Sequence, residues 1–304
     1  MALTHDDLER LFKVPAKRRV RLKDFDPGWA AREEFRDLKK DELKTRAAAY
    51  LKHNLADLSA AQEVLWATDR HAVLVVLQAM DGAGKDGTIK HVMSGINPQG
   101  CQVFSFKKPS EEEIDHTFLW RYMKSLPERG RIGIFNRSYY EDVLVVRVHP
   151  EILERQKLPS GPRNLGFWDN RYDDINRFER HLTRNGTLVL KFLLNISKEE
   201  QQRRFMSRLD DPAKHWKFSD SDVAEREHWD AYQDAFQEML RHTSTAYAPW
   251  WVIPADHKWV ARVLVAAILT RAIRDLGLKM PVVTPERLQQ LEQARRRLTG
   301  GAAA

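Results

Sequence analysis

Between Asp81 and Thr88 the chain reads Asp-Gly-Ala-Gly-Lys-Asp-Gly-Thr, with glycines at 82, 84 and 87 around a single lysine. Glycines let backbone N–H groups approach an anion, a helix N-terminus adds partial positive charge, and Lys85 adds a full one. Phosphate binding is the chemistry such a stretch can do. Against the pattern G-x-x-x-x-G-K-[ST], Gly84-Lys85 fits, but Ala79 stands in place of the first glycine. Asp86 stands in place of the hydroxyl that would meet Mg²⁺, and Asp81 can offer a hard oxygen instead. The phosphate candidates are Gly82, Ala83, Gly84, Lys85, Asp86, Gly87 and Thr88. The plainer alternative is a tight turn with a surface lysine.

A second constellation follows Phe135, where Asn136-Arg137-Ser138-Tyr139-Tyr140-Glu141-Asp142 crowds polar groups after an apolar run. Arg137 carries a planar fork suited to phosphate oxygens, and Glu141 and Asp142 offer carboxylates to a metal. A third lies between Arg203 and Lys217, where Arg203, Arg204, Arg208, Lys214 and Lys217 flank the helix-breaking Asp210-Asp211-Pro212. That pattern suits a lid closing over phosphates. Arg204 and Arg208 share a helix face (i, i+4), so those two are expected to meet phosphate and Arg203 to matter less.

These groups need elements to position them. Val73–Leu77 is continuous and β-branched, as in a strand buried on both faces. Similar runs fall at 101–106, 131–135, 187–196 and 250–253, with helical patterns between them. Ser110 with Glu113 and Ser197 with Glu200 mark helix starts, the first expected to run to about Lys124. Further helices are expected at 31–67, 168–182, 221–242, 258–276 and from Thr284-Pro285 to Leu298. Strand–helix alternation implies an α/β fold, a parallel sheet with helices on both faces, and ligands beyond the carboxyl ends of the strands.

The 304 residues fit one large domain: an N-terminal extension at about 1–30, a lid at about 200–220 and a last helix at about 284–299. Lysine and arginine number 50 against 43 acids, a net charge of +7 that points to anionic partners. Lys17, Arg18, Arg19, Arg21 and Lys23 form one basic run, and Lys107-Lys108 another. Either is a candidate track for a long polyanion, although basic runs are more often solvated faces. The single Cys101 excludes an intrachain disulfide framework and suits a reducing cytoplasm. No apolar run approaches the ~18 residues of a membrane span, so no membrane partner is expected.

In these stretches the chain resembles the polyphosphate kinase 2 family, over roughly residues 20–275. The resemblance rests on Gln78–Thr88, Phe135–Val148, Leu209–Phe218 and Thr243–Trp250. It implies a thymidylate-kinase-like P-loop (Walker A type) three-layer fold with a helical lid. It also implies reversible, Mg²⁺-dependent transfer between inorganic polyphosphate and the nucleotides AMP, ADP and ATP. Members commonly assemble as dimers or tetramers. Asn136 replaces the aspartate of the ADP- or AMP-specific members, and Glu141-Asp142 replaces their following pair, which is similar to the class III subgroup that phosphorylates AMP and ADP in turn. On this reading Asp81 and Glu141, with Asp142 behind it, hold Mg²⁺. Lys85 and Arg137 then neutralise the transferring phosphoryl. An ATP-dependent kinase of a nucleotide or small metabolite on the same fold is the alternative within enzymes. A nucleic-acid-binding protein is the alternative outside them, and no dedicated nucleic-acid module is readable.

Overall fold

The structure, a computed structural model, describes residues 5–16, 20–30 and 40–299. The expectations for Lys17, Arg18, Arg19 and 31–39 therefore lie outside the described residues, as does the side chain of Lys217. Five strands form one wholly parallel sheet in the order β2-β3-β1-β4-β5. They are β1 (Ala72–Ala79), β2 (Cys101–Ser105), β3 (Ile132–Asn136), β4 (Thr187–Asn195) and β5 (Trp250–Pro254). β1, β3 and β5 are apolar because both faces are covered, whereas the edge strand β2 leaves Val103 exposed.

The helices Lys40–Thr68 and Lys258–Arg274 pack together, and the latter also touches the helix Lys85–Val92. The helices Leu165–Arg184 and Trp229–Thr243 form a second pair, the first of them against β4. Both expected N-caps are present: Ser110 Oγ accepts from Glu113 N, and Ser197 Oγ from Glu200 N. Thr284 likewise caps the exposed helix Pro285–Leu298. Three boundaries differ from expectation. The helix after Ser110 ends at Ile114, and a separate turn spans Trp120–Met123, so that Tyr122 reaches the core. The helix expected from Trp168 begins at Leu165, because the Asn164 side chain caps it. The one expected across 221–242 is two, Asp220–Glu227 and Trp229–Thr243, divided at His228.

One charge sits where β4 would otherwise be apolar. Lys191 is fully buried, and its three protons go to Glu179 Oε2 (2.6 Å), Thr243 O (2.7 Å) and Tyr140 Oη (2.9 Å). Glu179 Oε1 accepts from Tyr139 and Tyr140, each at 2.8 Å. Burial pushes the Lys191 ammonium down, and the Glu179 charge opposes that. Every partner is in place, so removing one leaves an uncompensated buried charge. Lys191→Met is expected to lower the unfolding free energy by about 3–5 kcal/mol, and Lys191→Met with Glu179→Gln to recover part of that loss. Urea titration of both variants checks this, and an unchanged midpoint for Lys191→Met would refute it.

Candidate active site

The register sets Leu77 of β1 beside Asn136 of β3, so the two loops leaving these strands emerge side by side. After β1 the chain turns at Gly82 (φ +82°) and Gly84 (φ +103°), a region that side chains with a Cβ rarely occupy. Space also demands glycine at 82, where a Cβ would sit 2.9 Å from the Phe205 ring. Lys85 opens the helix Lys85–Val92, leaving the first-turn N–H groups of Lys85, Asp86 and Gly87 without an intrahelical acceptor. Ala83 N–H is turned inward to Met80 O (3.3 Å), and buried Thr88 donates its N–H to Gly84 O (2.9 Å). These two expected phosphate contacts have their amides engaged by the loop itself.

After β3, Arg137 takes φ +65°, a left-handed conformation that costs a non-glycine residue about 1 kcal/mol or more. Its N–H donates to Leu77 O (3.1 Å), tying the strained residue to β1. Arg137 Nη2 then reaches Asp81 Oδ1 (2.8 Å), while Nη1 lies 3.5 Å from Glu141 Oε2. Lys85 Nζ lies 3.6 Å from Asp81 Oδ1 and donates to Ala79 O (3.0 Å). Asp81, Lys85, Arg137 and Glu141 thus form one connected group of two cations and two anions. Lys85 is buried, which removes the plainer alternative of a tight turn with a surface lysine.

The electrostatics follow from this geometry. Burial would push the Asp81 carboxyl up, but the Lys85 and Arg137 charges outweigh it and hold it below the usual range. For Glu141 burial dominates and pushes the carboxyl up against the pull of Arg137 and Lys85. Burial pushes the Lys85 ammonium down, against Asp81. Glu141, with Asp81, holds Arg137 firmly charged.

Asn136 and Asp86 meet directly, Nδ2 to Oδ1 at 2.7 Å, while Asn136 Oδ1 is buried without a hydrogen-bond partner. Asp142 is elsewhere. It is buried, accepts from Gln156 (2.8 Å), and lies beside Arg171, whose Nη1 donates to the Asp142 carbonyl (2.8 Å). Burial raises its carboxyl to about 6. Expected behind Glu141 at a metal, Asp142 instead turns to the Arg171 cluster, because in the 3-10 turn Tyr139–Val143 adjacent residues point apart.

The lid also needs correction. Arg204 is buried, and its five N–H donors are all engaged: Glu200 Oε1 (2.8 Å), Gly82 O (3.0 Å), Ala83 O (2.7 Å), Ala255 O (2.5 Å) and Asp256 O (3.1 Å). It has no donor left for phosphate. The face that Arg204 shares with Gln201 is turned to the underside of the glycine loop, and Gln201 Nε2 donates to Asp81 O (2.8 Å). Arg208 pairs with Asp222 (3.1 Å) and Lys214 with Asp211 (2.6 Å), while Arg203 is exposed and paired with Glu200 (2.7 Å). Sequence reasoning missed Gln201 and also Gln78, a buried β1 side chain that donates to Ser138 Oγ (3.3 Å). A polar residue closing an otherwise apolar strand was the available signal for Gln78.

A parallel sheet, a glycine loop opening a helix, and a lysine–arginine–carboxylate group at the strand ends define a P-loop protein built for phosphoryl groups. The family model described as polyphosphate kinase 2 matches residues 38–280, and the chain belongs to that family. It is 49% identical over 275 residues to an ADP-polyphosphate phosphotransferase of Rhodopseudomonas palustris, covering 90% of this chain and 91% of that one. It is 44% identical over 270 residues to an AMP/ADP-polyphosphate phosphotransferase of Meiothermus ruber, covering 89% and 94%. The crystal structure of polyphosphate kinase 2 from Arthrobacter aurescens TC1 superposes with a TM-score of 0.80 at 40% identity, covering 92% of this chain and 95% of that one.

Two outcomes follow. Arg204→Gln is expected to lower turnover about 10²-fold by letting the loop shift, whereas Arg203→Ala stays within a few-fold of wild type. Steady-state rates check the order, which fails if Arg203→Ala is the more damaging. Asp142→Asn is expected to leave the apparent Mg²⁺ affinity unchanged while Asp81→Asn weakens it, as Mg²⁺ titrations of initial rate will show. Equal weakening in both would return Asp142 to the metal site.

Proposed function

We propose that the chain transfers the terminal phosphoryl group of inorganic polyphosphate to AMP and to ADP, giving ADP and ATP, and catalyses the reverse. The observation that carries this is the connected Asp81–Lys85–Arg137–Glu141 group at the mouth of the glycine loop, in a chain whose relatives are named for ADP and AMP/ADP. An oxygen of the acceptor's terminal phosphate forms a bond to the end phosphorus of the polyphosphate. The bond from that phosphorus to the next bridging oxygen breaks, and the shortened polyphosphate leaves with the electron pair. Reaction in this class asks for positioning and charge stabilisation, with no protein nucleophile. Lys85, buried beside the first-turn amides, would bind the transferring group. Arg137, held between two carboxylates, would turn its fork to the equatorial oxygens.

Among the described residues no group of three or more metal-binding side chains occurs, but Asp81 and Glu141 both flank Arg137 at the site. Mg²⁺ is commonly bound by one or two carboxylates, with substrate phosphates and water completing the shell, so the donor set fits. Asp81 and Glu141 would hold the ion, which when bound supplies charge neutralisation to the phosphoryl oxygens. No helix among the described residues is long and apolar enough to cross a membrane.

A time course of AMP with polyphosphate and Mg²⁺, resolving AMP, ADP and ATP, tests the reading. ADP is expected first and ATP after it, with little product when ATP replaces polyphosphate as donor. Phosphorylation of ADP alone would remove AMP as an acceptor. Dependence on ATP would support an ordinary P-loop kinase in place of this reading.

A further inference from the structure

The helix Asp220–Glu227 buries none of its eight residues; Asp222, Glu225 and Arg226 are half-buried and the rest are exposed. Those three stand at i, i+3 and i+4, so one charged face is turned inward. Apolar burial does not hold this helix, and its place is set by what the three side chains meet. Asp222 pairs with Arg208 (3.1 Å). Burial and the Asp81 charge push its carboxyl up against Arg208 and Arg137, which puts Asp222 in the field of the catalytic group. Arg226 donates to Lys198 O (2.6 Å), Gln201 Oε1 (2.9 Å) and Gln202 Oε1 (3.3 Å). All of these partners belong to one helix, Lys198–Leu209.

Glu225 reaches different elements. Its Oε2 accepts from Tyr232 Oη (2.6 Å) and lies 3.0 Å from His149 Nε2. Tyr232 is buried on the helix Trp229–Thr243, and His149 closes the short turn Val145–Val148, the next after the one that carries Glu141. Glu151 lies 3.3 Å from the other ring nitrogen of His149, and the ring meets His228 edge-on with centroids 4.8 Å apart. Burial and the Glu225 contact push the Tyr232 hydroxyl up, and the Glu141 and Asp81 charges add to this, so the phenol keeps the proton it gives to Glu225.

We infer that Glu225 is a positioning residue for phosphoryl transfer: through His149 and Tyr232 it clasps the helix Asp220–Glu227 to the segment that follows Glu141, and so holds Asp222 and Arg208 beside the catalytic group. The inference rests on the phosphotransferase reading and adds to it a residue that touches no substrate. Contacts to Lys198–Leu209 alone would act as a hinge line about which the helix could swing. Attachment to a second part of the chain fixes its orientation. A charged clasp also suits a part that must let product leave, because each such contact is weak where water reaches it.

The test is Glu225→Ala, His149→Phe (which keeps a ring against His228 and removes both nitrogens) and the double variant. Amide hydrogen exchange is read first, on substrate-free protein. Exchange across 220–227 is expected to rise about tenfold in each single variant, as for losing a charge-assisted contact in a partly solvated position, with Lys198–Leu209 unchanged. The double variant should be little worse than Glu225→Ala, because both changes remove the same contact. In steady state each variant should raise KM for polyphosphate about two- to tenfold and leave kcat within a few-fold, since saturating substrate draws the helix back into place. Unchanged exchange, exchange that rises throughout the chain, or additive effects in the double variant would overturn the inference. So would an unchanged KM, or a loss confined to kcat. If the wild-type protein transfers no phosphoryl from polyphosphate, the proposed function fails, and the exchange measurements alone then support the clasp or sink it.

Discussion

A lysine in the middle of a central parallel strand has no route to water, and the molecule is arranged around that constraint. Lys191 lies with neighbours of β1 and β5 on either side, Val76 and Trp250, so its ammonium cannot snorkel out. The charge is tolerable only because Glu179 meets it from the Leu165–Arg184 helix and the Thr243 carbonyl and Tyr140 hydroxyl take the remaining protons. The other oxygen of Glu179 then captures the hydroxyls of Tyr139 and Tyr140. Those tyrosines lie between Arg137 and Glu141 in the chain. A buried ion pair in the core thereby fixes the turn that carries an arginine and a carboxylate to the site, and the left-handed backbone at Arg137 is held from both ends. A network of this kind rigidifies only when every member is satisfied, and here every proton of Lys191 is.

The glycine loop is held from the other direction. Its carbonyls, facing away from the amides that would meet phosphate, are gathered by Arg204 and Gln201 of the Lys198–Leu209 helix. Arg204 extends the same grip to the carbonyls after β5. Arg226, from the next helix, donates to Gln201 Oε1 (2.9 Å) and so orients the amide that holds the Asp81 carbonyl. The Lys198–Leu209 helix, expected in the lid, is therefore packed under the glycine loop. Beyond Leu209 the packing thins: residues 212–216 are exposed and Asp220–Glu227 has no buried residue.

The framework was legible in the sequence because its signals are local. Apolar strands, serine and threonine caps and the glycine loop each announce themselves within a few residues, and the sheet follows from their alternation. Asp81, Lys85, Arg137 and Glu141 were legible for the same reason, each lying in the loop or first turn that follows a strand. What escaped was direction. Arg204 and Arg208 do share a helical spacing, but spacing does not say which partner the shared face meets, and for Arg204 it is backbone carbonyl. Asp142 follows Glu141 by one residue, and a 3-10 turn sends it to Arg171. Lys191 offered a signal that went unread: a lysine inside Leu-Val-Leu-Lys-Phe-Leu-Leu requires a buried acid, although nothing in the sequence says that Glu179 supplies it.

Charge balance joins these parts. Without substrate the central group is neutral, Lys85 and Arg137 against Asp81 and Glu141, which lets it sit half-buried at modest cost. Neutrality also means that the group has little surplus charge with which to attract a polyanion. A chain of phosphoryl groups brings one negative charge or more per phosphorus, and a divalent cation, were one held by the two carboxylates, would offset only part of it. The rest must be met by cations that are not already matched. Arg204, Arg208 and Lys214 each have an acid of their own, so none of the three carries surplus charge without substrate. Charges that compensate one another in this way can be preorganised at modest cost, and the attraction of a polyanion is left to charge outside the central group.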